Sequence, residues 1–147
     1  MEVKSDMGNQ VLIIGGGVAG INAALDLAEQ GHVVNLVEIT PSIGGKMAQL
    51  DKTFPTLDCS ICILAPKMVE CSRHPRINLY TYSEVTKVNP VNDGSGFNVT
   101  ILKKPRYIDT EKCTGCGDCA AICPVRDVSN EFEVGLKGNH AAYIPFL

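Results

Sequence analysis

Apolar positions fall along the chain in three rhythms, and each rhythm predicts an element. Gln10 to Ile14 is a short β-branched run, read as a strand. Three glycines follow, and then Ala23, Ala24, Leu27 and Ala28 recur at helical spacing until Gly31 stops the helix. Val33 to Val37 reads as a second strand and ends on Glu38. Farther on, Ile77, Leu79, Val85 and Val88 mark one β segment. Asn92 to Gly96 reads as a turn, and Phe97 to Leu102 alternates as the antiparallel partner of that segment. Strand, helix and strand in close succession predict an α/β fold with a Rossmann-like nucleotide-binding domain. Past the basic junction Lys103-Lys104-Pro105-Arg106, read as a solvated linker, this patterning lapses and a cysteine-rich loop begins at Asp109.

The chain has 147 residues, 45% hydrophobic and 20% charged, enough for one ordinary core or a core plus a small cofactor-stapled appendage. A net charge of -3 carries no general nucleic-acid footprint. Seven cysteines would suit a secreted disulfide scaffold, but the opening MEVKSDMGNQ has no apolar signal region, so a reducing, cytoplasmic setting is expected. Val11 to Leu27 is the most apolar stretch. Four glycines, Asn22 and Asp26 interrupt it, so no membrane span is expected. His32, His74 and His140 lack partners in sequence that would make them catalytic and are read as structural or exposed.

Cys113, Cys116, Cys119 and Cys123, followed by Pro124, form the C-x2-C-x2-C-x3-C-P run of bacterial-type ferredoxins. Two-residue gaps let one tight loop present three thiolates to a [4Fe–4S] cluster, and Pro124 redirects the chain after the fourth. Gly115 and Gly117 flank Cys116 and give the backbone the freedom that loop requires. A structural zinc site is disfavoured because zinc ribbons separate their two C-x2-C halves by a long stretch. In two-cluster ferredoxins the fourth cysteine serves the other cluster, and a single run here leaves Cys123 without that cluster.

Gly15, Gly17 and Gly20 make G-x-G-x-x-G between the first strand and the helix, and Glu38 stands eighteen positions past Gly20. In that context Gly15 is expected to form the tight turn, Gly17 to admit a pyrophosphate to the helix N-terminus, and Gly20 to pack helix on strand. Glu38 is expected to accept the ribose hydroxyls, which disfavours a 2′-phosphate. Both FAD and NAD use this fingerprint. The pair Gly44-Gly45 leans toward FAD, because a double glycine at this offset resembles the second signature of two-dinucleotide-binding flavoproteins. Lys46 beside it is expected either to offset phosphate charge or to be solvated.

Cys59 and Cys62, two residues apart, admit three readings: metal ligands, a redox disulfide working with a flavin, or buried thiols. Chelation leads, because two thiolates at this spacing face one point, with the remaining ligands supplied from elsewhere. Cys71 is nine positions past Cys62 and is expected in the core.

The string Gly44 to Met68, then His74-Pro75, Tyr82 to Val85, Lys104 to Tyr107 and the cysteine run together resemble the A subunit of heterodisulfide reductase, from Val11 to Leu147. The resemblance implies a thioredoxin-reductase-like FAD domain interrupted by a ferredoxin domain, in an iron–sulfur flavoprotein that relays or bifurcates electrons. It implies Gly15, Gly17, Gly20, Glu38, Gly44 and Gly45 at FAD, Cys113, Cys116, Cys119 and Cys123 at clusters, and Cys59 and Cys62 helping to ligate a further cluster. Implied partners are the other subunits of such a complex and an electron-donating hydrogenase or dehydrogenase. In methanogens the complex reduces the disulfide of coenzymes M and B, and the A subunit is not the disulfide-reducing one.

The chain ends 24 residues after Cys123, without a second cluster run, and it lacks the extension that many members carry before the glycine loop. An amino-terminal fragment is therefore expected, with residues 1–107 the first part of the FAD domain and 108–147 a truncated ferredoxin-like segment. Three functional classes stand: an electron-transfer iron–sulfur flavoprotein, which the cysteine run favours; a flavin- or NAD-dependent disulfide reductase using Cys59 and Cys62 as its dithiol; and a non-catalytic cluster carrier.

Overall fold

A computed structural model describes residues 10–91, 94, 96–129, 135, 136 and 138–144. The chain divides into two compact units, Met1–Pro105 and Arg106–Leu147.

In the first unit, β1 (Gln10–Ile14), β2 (Val33–Val37) and β3 (Ile77–Tyr80) form a parallel sheet in the order β1-β2-β3. Gln10 is opposite Val33, and Val34 is opposite Ile77. Parallel neighbours need a crossover, and helices supply both. α1 (Val18–Glu29) joins β1 to β2, and α2 (Ser60–Arg73) lies between β2 and β3. The core collects Ile21, Ala24, Leu25 and Ala28 of α1, Val34 and Leu36 of β2, Ile43 from the loop beyond β2, Leu64 and Cys71 of α2, and Ile77 of β3. Ile21, Val34 and Leu36 are wholly buried, each favouring the folded state by ~1.5–3 kcal/mol over exposure. The buried stripe of α1 is rotated from the expected one, so Ala23 is not part of it while Ile21 and Leu25 point inward.

α2 has no counterpart in the apolar rhythm of the sequence, because Pro66 inside it breaks the helical pattern. Proline removes the bond that would run to the Cys62 carbonyl, in the exposed first turn where solvent can replace it. Cys71 lies in the core as expected. Burial and then the neighbouring Glu70 charge push its thiol above the ordinary range.

The β segment expected to run unbroken from Ile77 to Val88 is two strands. β3 belongs to the parallel sheet, whereas β4 (Ser83–Pro90) leaves it to pair antiparallel with β5 (Phe97–Lys103). The break is at Tyr82, whose φ of 53° is left-handed. Its amide bonds the Thr40 carbonyl at 2.9 Å, and its own carbonyl accepts from the Lys104 amide at 2.9 Å. The expected turn at Asn92–Gly96 lies partly outside the described residues.

The second unit holds the short helix α3 (Asp118–Ile122) and a two-residue antiparallel pair, β6 (Val128–Ser129) with β7 (Gly138–Asn139). Among the described residues no helix is long and apolar enough to cross a membrane.

Candidate functional site

The turn between β1 and α1 brings the predicted glycines together. Gly15 has φ 104°, a conformation that side chains resist, and its amide bonds the Val37 carbonyl at 2.8 Å, tying the turn to β2. Gly17 is the N-cap of α1 and provides no side-chain cap, so the first-turn amides lack an intrahelical partner and face outward. A β-carbon placed on either Gly15 or Gly17 would meet nothing within 4 Å. The loop therefore borders open space beside uncapped amides at the positive end of a helix, which suits a pyrophosphate.

Glu38 ends β2 and is 6% exposed. Its Oε2 accepts from the Gly16 amide at 2.6 Å, and its Oε1 accepts from the Thr40 amide at 2.8 Å. The Thr40 hydroxyl lies 2.8 Å from the same Oε1 and 2.7 Å from the Ser42 carbonyl. The acid is thus fixed beside the glycine loop, where a ribose-binding acid of this fold stands. Gly16 and Thr40 carry no fingerprint of their own in the sequence. The one signal for Thr40 is a hydroxyl residue two positions past a strand-terminal acid, where local side-chain to backbone bonding is common.

Gly44 and Gly45 dock on the first loop. The Gly44 amide bonds the Gly16 carbonyl at 2.7 Å, and the two segments form an isolated parallel bridge at Gly17 and Gly44. Gly45, at φ 56°, packs so closely that a β-carbon there would lie 2.9 Å from the Gly17 Cα. A 3-10 turn over Gly45–Gln49 follows and leaves Lys46 exposed. α2 packs behind this pair, with Leu64 Cδ2 and Met68 Sδ at 3.5 Å and 3.3 Å from where a Gly44 β-carbon would be.

Cys59 and Cys62 are joined in a disulfide with Cα atoms 5.3 Å apart. Cys59 is also the N-cap of α2, its sulfur accepting from the Cys62 amide at 3.3 Å. In this bonded form the pair offers no thiolate, so ligation requires the reduced form.

In the second unit Cys113, Cys116 and Cys119 are exposed free thiols, and Cys123 is half-buried. Gly115 and Gly117, at φ 73° and 84°, make the turns on both sides of Cys116. Cys119 lies in α3 and Cys123 is its C-cap. Backbone hydrogen bonds at Ala142 and then Val125, with smaller contributions from Ala141 and Arg126, outweigh desolvation and hold the Cys123 thiol below the ordinary range. The His140 ring contacts the Ala120 carbonyl, a structural role. Among the described residues no three Cys, His, Asp or Glu side chains converge on one point. Four soft thiolate donors at ferredoxin spacing, turned by two left-handed glycines, suit a [4Fe–4S] cluster in their chemistry.

Comparisons with known proteins agree on both halves. Residues 10–56 match the family described as FAD dependent oxidoreductase, and residues 106–126 match the 4Fe-4S binding domain. The chain is 60% identical over 146 residues to an iron–sulfur A subunit of the CoB–CoM heterodisulfide reductase of Methanopyrus kandleri, covering 98% of this chain and 22% of that protein. It is 60% identical to the corresponding protein of Methanocaldococcus jannaschii, covering 92% of this chain and 20% of that one. The A subunit of the H(2):CoB–CoM heterodisulfide,ferredoxin reductase of Methanothermobacter marburgensis is 56% identical, with coverage of 97% and 21%. The chain thus spans about a fifth of the length of these relatives. Among solved structures, L-proline dehydrogenase from P. horikoshii aligns with TM-score 0.53 and 25% identity, over 65% of this chain and 20% of that one.

Proposed function

The chain belongs by sequence to the family of heterodisulfide reductase A subunits, and from that premise we propose that it works in an electron-transfer iron–sulfur flavoprotein that relays or bifurcates electrons between FAD and [4Fe–4S] clusters. The observation that carries this reading is that one chain joins a dinucleotide cradle to a four-thiolate run. When bound, FAD exchanges electrons singly or in pairs and the cluster exchanges them singly.

The chain's own residues bind and orient. The outward amides of α1 and the open space at Gly17 receive the pyrophosphate, and Glu38 receives the ribose hydroxyls. Gly44 and Gly45 hold the 3-10 turn against the loop, and Lys46 contributes a solvated positive charge. Cys113, Cys116 and Cys119 supply three thiolates to one cluster, and Cys123 completes that site or serves a second cluster. Partners are the other subunits of a heterodisulfide reductase-type complex and an electron-donating hydrogenase or dehydrogenase. The setting is cytoplasmic, where clusters are inserted and thiols stay reduced.

Assays of bound iron, acid-labile sulfide and flavin after anaerobic reconstitution test this reading. Flavin together with about four iron and four sulfide per cluster supports it, and a chain that takes up neither removes it. The disulfide between Cys59 and Cys62 favours a second reading, a disulfide reductase in which they form a flavin-coupled dithiol. That reading predicts two additional alkylatable thiols after two-electron reduction and leaves the cysteine run without a role.

A further inference from the structure

Lys67 is in the middle of α2 and half-buried, with its ammonium group against the side-chain oxygen of Asn22 on α1. The other end of the same Asn22 amide donates to the Val18 carbonyl at 2.7 Å. Val18 is the first residue of α1, directly after the glycine loop. A cation is therefore linked through one side-chain amide to the first turn of the helix that opens at the glycine loop. Among the described residues no carboxylate pairs with it, since the two ion pairs are Lys104 with Glu84 and Lys112 with Asp109. Removing a lysine partly from water without a counter-charge is unfavourable, and a second positive feature beside it adds to the cost. An anion at the helix terminus would relieve both.

We propose that Lys67 is a diphosphate-binding residue of the dinucleotide site, leaving the Asn22 oxygen for a phosphate oxygen when the ligand occupies the glycine loop. This rests on the dinucleotide reading above and adds to it a charge partner from a different helix. α2 is placed for the task, because Leu64 and Met68 flank the Gly44 position that docks on the loop. The lysine's flexible stem lets the head group move between Asn22 and the terminus, and a compact ammonium suits phosphate as a point charge.

The test is FAD titration into the deflavinated intact protein, for wild type and the variants Lys67→Met, Lys67→Gln, Lys67→Arg and Asn22→Ala, at about 50 mM and about 0.5 M salt. Loss of a charge-assisted contact predicts a Kd about tenfold or more higher in Lys67→Met and Lys67→Gln. Most of the affinity should return in Lys67→Arg, and the salt dependence should be weaker in the two neutral variants. Asn22→Ala should keep the wild-type Kd, because it removes only the resting partner. Lys67→Gln retains a hydrogen bond to Asn22 and separates charge from packing if Lys67→Met fails to fold. A Kd within about twofold of wild type in Lys67→Gln, with unchanged salt dependence, overturns the proposal and leaves the flavin site standing. Equal weakening by Asn22→Ala would reduce Lys67 to a tie between two helices and also overturn it. A wild type that binds no FAD removes the dinucleotide reading and this proposal together.

Discussion

Gly20 lies so close to the carbonyl oxygen of Gly15 that a β-carbon added to it would be 1.9 Å from that oxygen. The contact is between the first turn of α1 and the turn that leaves β1, and both partners are backbone. No side-chain rotation can relieve it. Gly20→Ala must therefore push α1 away from the sheet and from Val34 and Leu36 beneath it. The expected outcome is a loss of ~1–3 kcal/mol or more in unfolding free energy with flavin binding impaired. Denaturant melts and bound flavin per chain check it; wild-type stability in Gly20→Ala would contradict the packing.

Gly17 is the opposite case. A β-carbon there meets nothing within 4 Å, and its φ of -74° suits any residue. Gly17→Val should fold with near-wild-type stability, fill the space in front of the helix amides and abolish flavin binding, while iron content stays unchanged. Flavin occupancy equal to wild type in that variant would sink the nucleotide assignment.

Cys116 stands between the two left-handed glycines. Cys116→Ser should remove the broad visible absorption of a [4Fe–4S] centre and lower iron per chain, with flavin retained. Full iron content would show the site to be misassigned.

For Cys59 and Cys62, iron per chain in the intact protein separates ligand from dithiol. If they ligate a cluster once reduced, a double Ser variant loses iron beyond what Cys113 to Cys123 hold. If they form a flavin-coupled pair, iron is unchanged. We expect the loss; equal iron in wild type and variant would reject the ligand role.

The free thiols differ in reactivity. In the iron-free chain, Cys123 should alkylate at lower pH than an ordinary cysteine, because its depressed pKa keeps the reactive thiolate present as pH falls. Cys71, buried with a raised pKa, should stay unlabelled at mildly alkaline pH until the chain unfolds. Peptide mapping after pulses of iodoacetamide at several pH values checks both.

The nucleotide-binding half is legible in the sequence because its determinants are local. β1, β2 and the glycine turn follow from short, mostly apolar runs and from a glycine spacing in which Gly15 takes a positive φ and Gly20 has no room for a β-carbon. α2 is hidden by Pro66, because sequence patterning treats proline as a stop and cannot see that the lost bond falls at an exposed first turn. The break at Tyr82 is hidden for a different reason. It is imposed by partners far away in sequence, Thr40 and Lys104, and nothing in Ile77 to Val88 itself records them. Thr40 shows in the sequence only as a hydroxyl two positions past Glu38, and Lys67 is silent because its partner Asn22, 45 positions away, is brought near only by folding.

The hydrogen bond from the Lys104 amide to the Tyr82 carbonyl closes the β4–β5 hairpin at its base. The chain thus departs from the sheet and comes back to the same place, and the excursion stays tied to the nucleotide fold at its buried Ser83 end, whose amide bonds the Glu38 carbonyl at 2.9 Å. Changes of length or surface away from Ser83 leave that tether, and with it the strand end that carries Glu38, in place.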